Sequence, residues 1–250
     1  MISAVVLTKN EEGNIIKCIE SLLWCDEIII VDDFSIDQTI NRIDKLHKKQ
    51  IKIYRRKLNN DFASQRNYSL LKATGDWVLF IDSDEIVSKE LQKEIQEKIG
   101  LFYISKACHF VIKRHDFFIG KELKFGETGN IKLLRLARRN LGTDKWKRKV
   151  HEYWDVKGET IELINPILHF PHKSLSSFLD KINFYSDLHA ISLKEENKKS
   201  SILKIIIWPT GKFVYNFIFR LGFLDGAEGF IIASMMSFHS FLAWSKVWQD

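Results

Sequence analysis

The chain has 250 residues, 45% of them hydrophobic and 28% charged, which is enough to bury a sizeable core and too apolar for intrinsic disorder. A net charge of +6 points to an anionic partner: a nucleotide diphosphate, an acidic membrane surface or nucleic acid. Three cysteines, Cys18, Cys25 and Cys108, are odd in number and form no Cys-x-x-Cys pair, so reduced thiols in a cytoplasmic protein are the simplest reading.

Met1 leads directly into the strand-like run Ile2–Leu7, without the basic start of a cleavable signal. Ile15, Ile19, Leu22 and Leu23 then recur at the spacing of one helix face, and Glu27–Val31 is a second apolar strand. Ile36, Ile40, Ile43 and Leu46 mark a second helix, Ile51–Tyr54 a third strand and Asp61–Ala73 a third helix. Gly75 fits a helix stop before the strand Trp77–Ile81, after which Leu91, Ile95 and Ile99 continue helically. Strand alternating with helix predicts an α/β fold around a mainly parallel sheet with right-handed crossovers.

Three polar clusters follow the apolar strands: Thr8-Lys9-Asn10-Glu11, Asp32-Asp33-Phe34-Ser35 and Asp82-Ser83-Asp84-Glu85. In an open α/β sheet ligands bind at the carboxyl ends of the strands. Two acids separated by one small residue can offer oxygens to Mg²⁺ or Mn²⁺, which keep open positions for substrate phosphates. The first turn holds a single glycine, Gly13, which argues against a nicotinamide or flavin enzyme.

The runs Ile2–Glu11, Ile30–Asp37, Phe62–Asn67 and Ala73–Glu85 together resemble glycosyltransferase family 2, with its GT-A (Rossmann-like) fold. Lys149-Val-His-Glu152 and Leu221-Gly-Phe-Leu-Asp-Gly-Ala-Glu-Gly229 are similar to segments of bacterial lipopolysaccharide core β-glucosyltransferases. The resemblance implies transfer of a sugar from a nucleotide diphosphate donor, UDP-glucose for this subgroup, with inversion. It implies that Thr8, Asn10 and Glu11 line the nucleoside pocket, with Asp32, Asp33 and Ser83 on the nucleotide-sugar side. Arg66 would reach base or diphosphate. Asp82 and Asp84 would hold ribose and metal (Mg²⁺ or Mn²⁺), Asp84 as the direct ligand.

A hydroxyl acceptor attacking in line needs one general base, and a partly buried carboxylate suits that task. Glu152 is the candidate, with His151 as the alternative base or as an acceptor contact. Eight cations crowd Ile131–Val150: Lys132, Arg135, Arg138, Arg139, Lys145, Lys147, Arg148 and Lys149, against the single acid Asp144. They form either a solvated surface or an attractor for phosphates on a glycan or glycolipid acceptor. His109, His115, His169 and His172 lack the cysteines or spacing of a zinc set, so structural or acceptor-contact roles are expected.

The last fifty residues carry seven of the 18 phenylalanines and three of the seven tryptophans. Val214, Phe217, Ile218 and Leu221 mark one helix face, and Phe230–Trp248 is apolar nearly all round, with Ser234, Ser237 and Ser240 as a polar stripe. Three readings stand: a helix pair packed on the catalytic domain or in a homodimer, an interfacial anchor, and, weakest, a transmembrane span. The expected organisation is a catalytic domain over 1–172, with a nucleotide-sugar half to about residue 100 and an acceptor half beyond it. A helical region over 173–250 follows, with membrane-interfacial placement as one of these three readings. The expected location is the cytoplasm, at the cytoplasmic face of the inner membrane.

Two rival classes remain. A sugar nucleotidyltransferase would need an early glycine-rich triphosphate loop, which the region near Asn10 lacks. A non-catalytic protein binding nucleic acid or an anionic surface leaves the acidic clusters unexplained, since they repel phosphate unless a cation intervenes. Nucleic acid is therefore not an expected partner.

Overall fold

The structure, a computed structural model, describes residues 1–101, 108–129, 131–139, 145–148, 152–172 and 174–249. The chain divides into two compact units, Met1–Arg114 with Lys132–His169, and His115–Ile131 with Phe170–Asp250. The segment His115–Ile131, assigned by sequence to the first region, thus packs with the C-terminal helices.

The first unit begins with β1 (Ile2–Thr8), α1 (Ile15–Glu20), β2 (Glu27–Asp32), α2 (Thr39–Asp44), β3 (Ile51–Arg55) and α3 (Phe62–Lys72). There follow β4 (Trp77–Asp82), β5 (Glu85–Val87), α4 (Lys89–Gly100) and β6 (His109–Phe118). After β7 (Lys121–Leu123) come β8 (Ile131–Arg138), β9 (Lys145–Lys147), β10 (Tyr153–Asp155), β11 (Thr160–Glu162) and β12 (Ile167–His172). The main sheet runs β3-β2-β1-β4-β8-β6-β12-β5, while β9 and β10 form a separate ribbon. β1 is parallel to both β2 and β4, and β2 to β3. β8 returns antiparallel to β4, and β12 antiparallel to β5.

The expected mixed, mainly parallel α/β sheet is therefore present, and its physical cause is visible in burial. Every residue of β2 is buried, as a parallel strand covered by helices on both faces requires. Alternation distributes β1 between two cores. Ala4 and Val6 join Ile15 and Ile19 of α1, Leu22 just after it, and Leu91 and Ile95 of α4; Val5 joins Ala63 and Leu70 of α3 with Trp146 and Trp154.

Three local expectations need correction. Ile36 lies outside α2 and is 91% exposed: its amide donates to Asn10 Oδ1 rather than into the helix, and Asp37 accepts bonds from the Thr39 amide and hydroxyl just ahead of it. Gly75 is not a helix stop: α3 ends at Lys72, and a Cβ at residue 75 would sit 2.8 Å from the Ser3 backbone nitrogen. Residues Val214–Leu221 do not form one helix face, since the α-helix ends at Val214, a π-helical turn covers Tyr215–Phe219, and Leu221 takes φ 58°.

Glu27 ties the sheet's amino end together. Its carboxylate receives Ser3 Oγ at 2.5 Å, Lys52 Nζ at 2.8 Å and the Thr74 amide and hydroxyl. Burial pushes this carboxyl up, but the bonds from Lys52, Ser3 and Thr74 outweigh it and hold the pKa at about 2. A depressed folded-state pKa gives stability that is complete above the unfolded value and is lost as pH falls through the folded one. The contribution is on the order of 3 kcal/mol. Chemical denaturation between pH 5 and 2 should therefore show stability falling in wild type, with a shallower fall in Glu27→Gln.

In the second unit the outer end of β6 pairs with β7, and three helices follow: α5 (Leu175–Glu195), α6 (Ile202–Val214) and α7 (Gly226–Gln249). A corner built from Leu221–Gly229 joins the last two. The Asp225 carboxylate accepts from the Lys124 and Phe125 amides at 2.9–3.1 Å. Gly229 approaches so closely that an added Cβ would lie 2.0 Å from the Gly222 carbonyl oxygen. The glycines and the acid of this segment thus serve the turn.

Candidate functional site

Strand register sets the site. Thr8 is level with Asp32 across β1 and β2, and Leu7 with Asp82 across β1 and β4. Three adjacent parallel strands therefore end together, each delivering its polar cluster to one edge.

The loops after β1 and β2 are fastened to each other. Asn10, at φ 54°, donates its amide to Ser35 Oγ at 2.9 Å and accepts the Ile36 amide at its Oδ1. The Glu11 amide donates to Thr39 Oγ1 at 2.8 Å, and its carboxylate accepts Asn14 Nδ2. Asp32 is fully buried and accepts the amide and hydroxyl of Ser35. Asp33 accepts Lys9 Nζ at 2.6 Å and the Leu58 amide at 3.0 Å. Thr8 Oγ1 is buried without a hydrogen-bond partner.

The two acids of Asp82-Ser83-Asp84 have separate partners, with Ser83 buried between them. Asp82 is gripped by two buried guanidiniums: Arg66 Nη2 reaches Oδ1 at 2.8 Å and Arg135 Nη2 reaches Oδ2 at 2.5 Å. Arg135 also contacts Glu85 at 3.0 Å, and Glu85 accepts the Asp82 amide. Burial pushes Asp82 up, but Arg135 and Arg66 prevail and hold its carboxyl well below the usual carboxylate range. Glu85 is raised, by burial first and by the neighbouring Asp82 charge, with Arg135 opposing. Asp84 instead faces His169, Oδ1 to Nε2 at 3.5 Å.

Arg66 links the donor edge to the candidate base. Its Nε donates to Glu152 Oε1 at 3.0 Å, while the guanidinium lies 4.7 Å from the Trp146 ring and 5.5 Å from that of Phe80. A cation stacked on aromatic faces and pinned by two carboxylates has little freedom. Its remaining nitrogen, Nη1, is buried without a partner. Glu152 lies just before β10, 17% of its side chain exposed. His151, Lys149 and Asp144 lie outside the described residues.

The other cations of the basic stretch divide. Arg135 is not a surface charge but a buried clamp. Arg139 donates to the Gly75 carbonyl, while Lys132 pairs with Glu162 and Lys147 with Asp155. Elsewhere His115 pairs with Glu122, and His172 stacks on Phe178. Sequence reasoning missed Arg135 and His169 as members of the site. The antiparallel pairing of β12 with β5 sets His169 opposite Glu85, and no local spacing announces it.

Replacing Arg135 by leucine should be costly, since it leaves Asp82 and Glu85 without a shared counter-charge. Breaking a buried ion pair from one side typically costs about 3–5 kcal/mol. The expected result is a lower urea midpoint with an unchanged denaturant slope, partly restored in Arg135→Lys.

Asp84 and His169 are the described side chains that could hold a cation together. A carboxylate oxygen and an imidazole nitrogen suit Mn²⁺ and are compatible with Mg²⁺. No group of three His, Cys, Asp or Glu side chains able to hold a metal occurs among the described residues. Two protein ligands leave the remaining positions for phosphate and water, as a nucleotide-bound ion needs.

Comparison with known proteins agrees with this architecture. Lipopolysaccharide core biosynthesis glycosyltransferase LpsC of Rhizobium meliloti (strain 1021) is 29% identical over 251 residues, covering 99% of this chain and 92% of that protein. An uncharacterised glycosyltransferase of Rickettsia typhi is 28% identical over 256 residues, covering 98% and 86%. The solved structure of S. aureus TarS 1–349 in complex with UDP-GlcNAc superposes with a TM-score of 0.52 at 13% identity, covering 99% of this chain and 92% of that one; the likeness is one of fold, the GT-A arrangement. The model of glycosyl transferase family 2 matches residues 3–154, more than half of the chain, and the protein belongs to that family of glycosyltransferases.

Proposed function

We propose that the protein transfers a sugar, glucose from UDP-glucose, with inversion, to a lipopolysaccharide core or related cell-surface glycan acceptor at the cytoplasmic face of the membrane. The observation that carries this reading is the division of labour at β4. Asp82 is locked by Arg66 and Arg135, Asp84 stands with His169, and Arg66 extends from Asp82 to Glu152. Similarity to LpsC along almost the whole chain supports the acceptor class. The fold shared with TarS, solved with UDP-GlcNAc and with UDP, supports a UDP-linked donor.

In this reading residues 1–100 hold the donor. Thr8 Oγ1 and Arg66 Nη1, both buried and unpartnered, are the polar atoms a nucleotide would satisfy. Asn10, Glu11, Asp32, Asp33 and Ser83 frame the nucleoside side. Asp84 and His169 hold Mg²⁺ or Mn²⁺, which when bound acts as a Lewis acid on the departing diphosphate. Glu152, its Oε1 fixed by Arg66, takes the acceptor hydroxyl proton at Oε2. The acceptor oxygen forms the new bond to the anomeric carbon, and UDP departs with the electron pair of the bond that breaks.

Thermal shift with UDP, GDP, CDP and UTP plus glucose 1-phosphate, each with and without Mn²⁺, tests the donor class. Stabilisation by UDP that needs the metal is expected; stabilisation by a nucleoside triphosphate with a sugar phosphate instead would overturn it. NMR of the anomeric proton in the product then tests inversion and the sugar.

A further inference from the structure

We infer that α6 and the corner after it form an in-plane docking surface for an anionic phospholipid bilayer, deepening the membrane-side reading above, on which it rests. Twenty of the twenty-eight exposed large apolar side chains among the described residues lie beyond residue 174, eleven of them between Ile202 and Leu224. On α6 the outward positions are Ile202, Leu203, Ile206 and Ile207, at i, i+1, i+4 and i+5, and Trp208 is 54% exposed. Phe219, on the following turn, is 72% exposed. A contiguous apolar patch of this size marks an interaction surface.

Charge selects the occupant. Residues 197–224 carry five cations, Lys198, Lys199, Lys204, Lys212 and Arg220, and no acid. The acids at the far corner are already engaged: Asp225 by backbone amides and Glu228 by Lys121 at 2.9 Å. Lys198 pairs with Glu196 at 2.7 Å and Lys212 with Glu127 at 3.2 Å, and the apolar side chains and exposed tryptophan beside the remaining Lys199, Lys204 and Arg220 suit a headgroup–acyl boundary of negative charge. A second copy fits less well, because a two-fold contact through the same patch sets like charges against each other.

The orientation follows from what α6 packs on. Its inner side lies along α7: Ser237 Oγ donates to the Pro209 carbonyl at 2.7 Å, and Trp208 stacks on Trp244 at 6.1 Å. Ile202–Phe219 and Gly222–Gln249 are long and apolar enough to cross a membrane by length and composition. However, a span would carry the Lys212–Glu127 ion pair, 3.2 Å, into hydrocarbon. Lying flat keeps that pair at the protein side and wets only the outer face.

Co-sedimentation of the full-length protein with phosphatidylcholine vesicles, with and without phosphatidylglycerol, tests this. Binding that requires phosphatidylglycerol and weakens about tenfold or more in the double variant Leu203→Glu, Ile207→Glu is expected. Both positions are exposed, so the UDP-induced thermal shift should be unchanged in that variant. Wild type ignoring both vesicle types overturns the docking surface while a retained UDP response leaves the transferase reading standing. Resistance to alkaline carbonate overturns it in favour of a span. A dimer that the double variant splits, with no vesicle binding, overturns it in favour of a second copy. Vesicle binding without any UDP response would sink the transferase reading and keep the docking surface.

Discussion

Asp84→Ala should lower sugar transfer about 10²–10³-fold, the size typical of losing one preorganised stabiliser of developing charge, while the protein stays folded. The reason is the different engagement of two carboxylates one residue apart. Asp84 faces His169 at 3.5 Å, outside the grip that Arg66 and Arg135 exert on Asp82. Removing it leaves the bonds from Arg66 and Arg135 to Asp82 in place. Asp82→Ala is the control: it strips both arginines of a shared partner, so its melting temperature should fall clearly where that of Asp84→Ala hardly moves. Calorimetric titration of UDP should show Asp84→Ala losing the gain in affinity that Mn²⁺ confers on wild type. Metal-independent UDP binding of equal strength in both proteins would remove Asp84 from the metal.

Glu152→Gln should abolish turnover and spare donor binding. A positioned base contributes about 10²–10⁴-fold, and the amide of glutamine has no basic oxygen at neutral pH. The replacement is nearly isosteric, and its carbonyl can still accept from Arg66 Nε, now at 3.0 Å from Oε1. A fall in kcat with an unchanged donor KM separates loss of the base from loss of the pocket. Full turnover in the variant would transfer the role to another group, with His151 next in line.

The parallel half of the sheet was legible because its strands are continuous apolar runs and its helices keep a single face. β2 is buried at all six positions, and that burial is written in the four consecutive β-branched residues Ile28–Val31, while the acids at its ends, Glu27 and Asp32, are buried through their hydrogen bonds. The clusters at the strand ends were legible for the same reason, since polar residues must leave the core where the run stops. Non-local partners were not. Arg135 read as one charge in a basic stretch, and only the antiparallel return of β8 beside β4 turns it inward to Asp82 and Glu85. His169 was visible as a histidine, but its approach to Asp84 depends on β12 pairing with β5 across some eighty residues of sequence. The Leu221–Gly229 segment was read through resemblance; the close approach of Gly229 to Gly222 and the Asp225 caps give it a physical reason.

Anomalous diffraction at the manganese edge from crystals grown with UDP and Mn²⁺ would test the division between Asp84 and Asp82 most directly. A peak within ligand distance of Asp84 Oδ1 and His169 Nε2, touching the diphosphate, with Asp82 still held by Arg66 and Arg135, is the expected result. UDP bound with the manganese seated elsewhere, or with Asp84 turned away from the diphosphate, would contradict it.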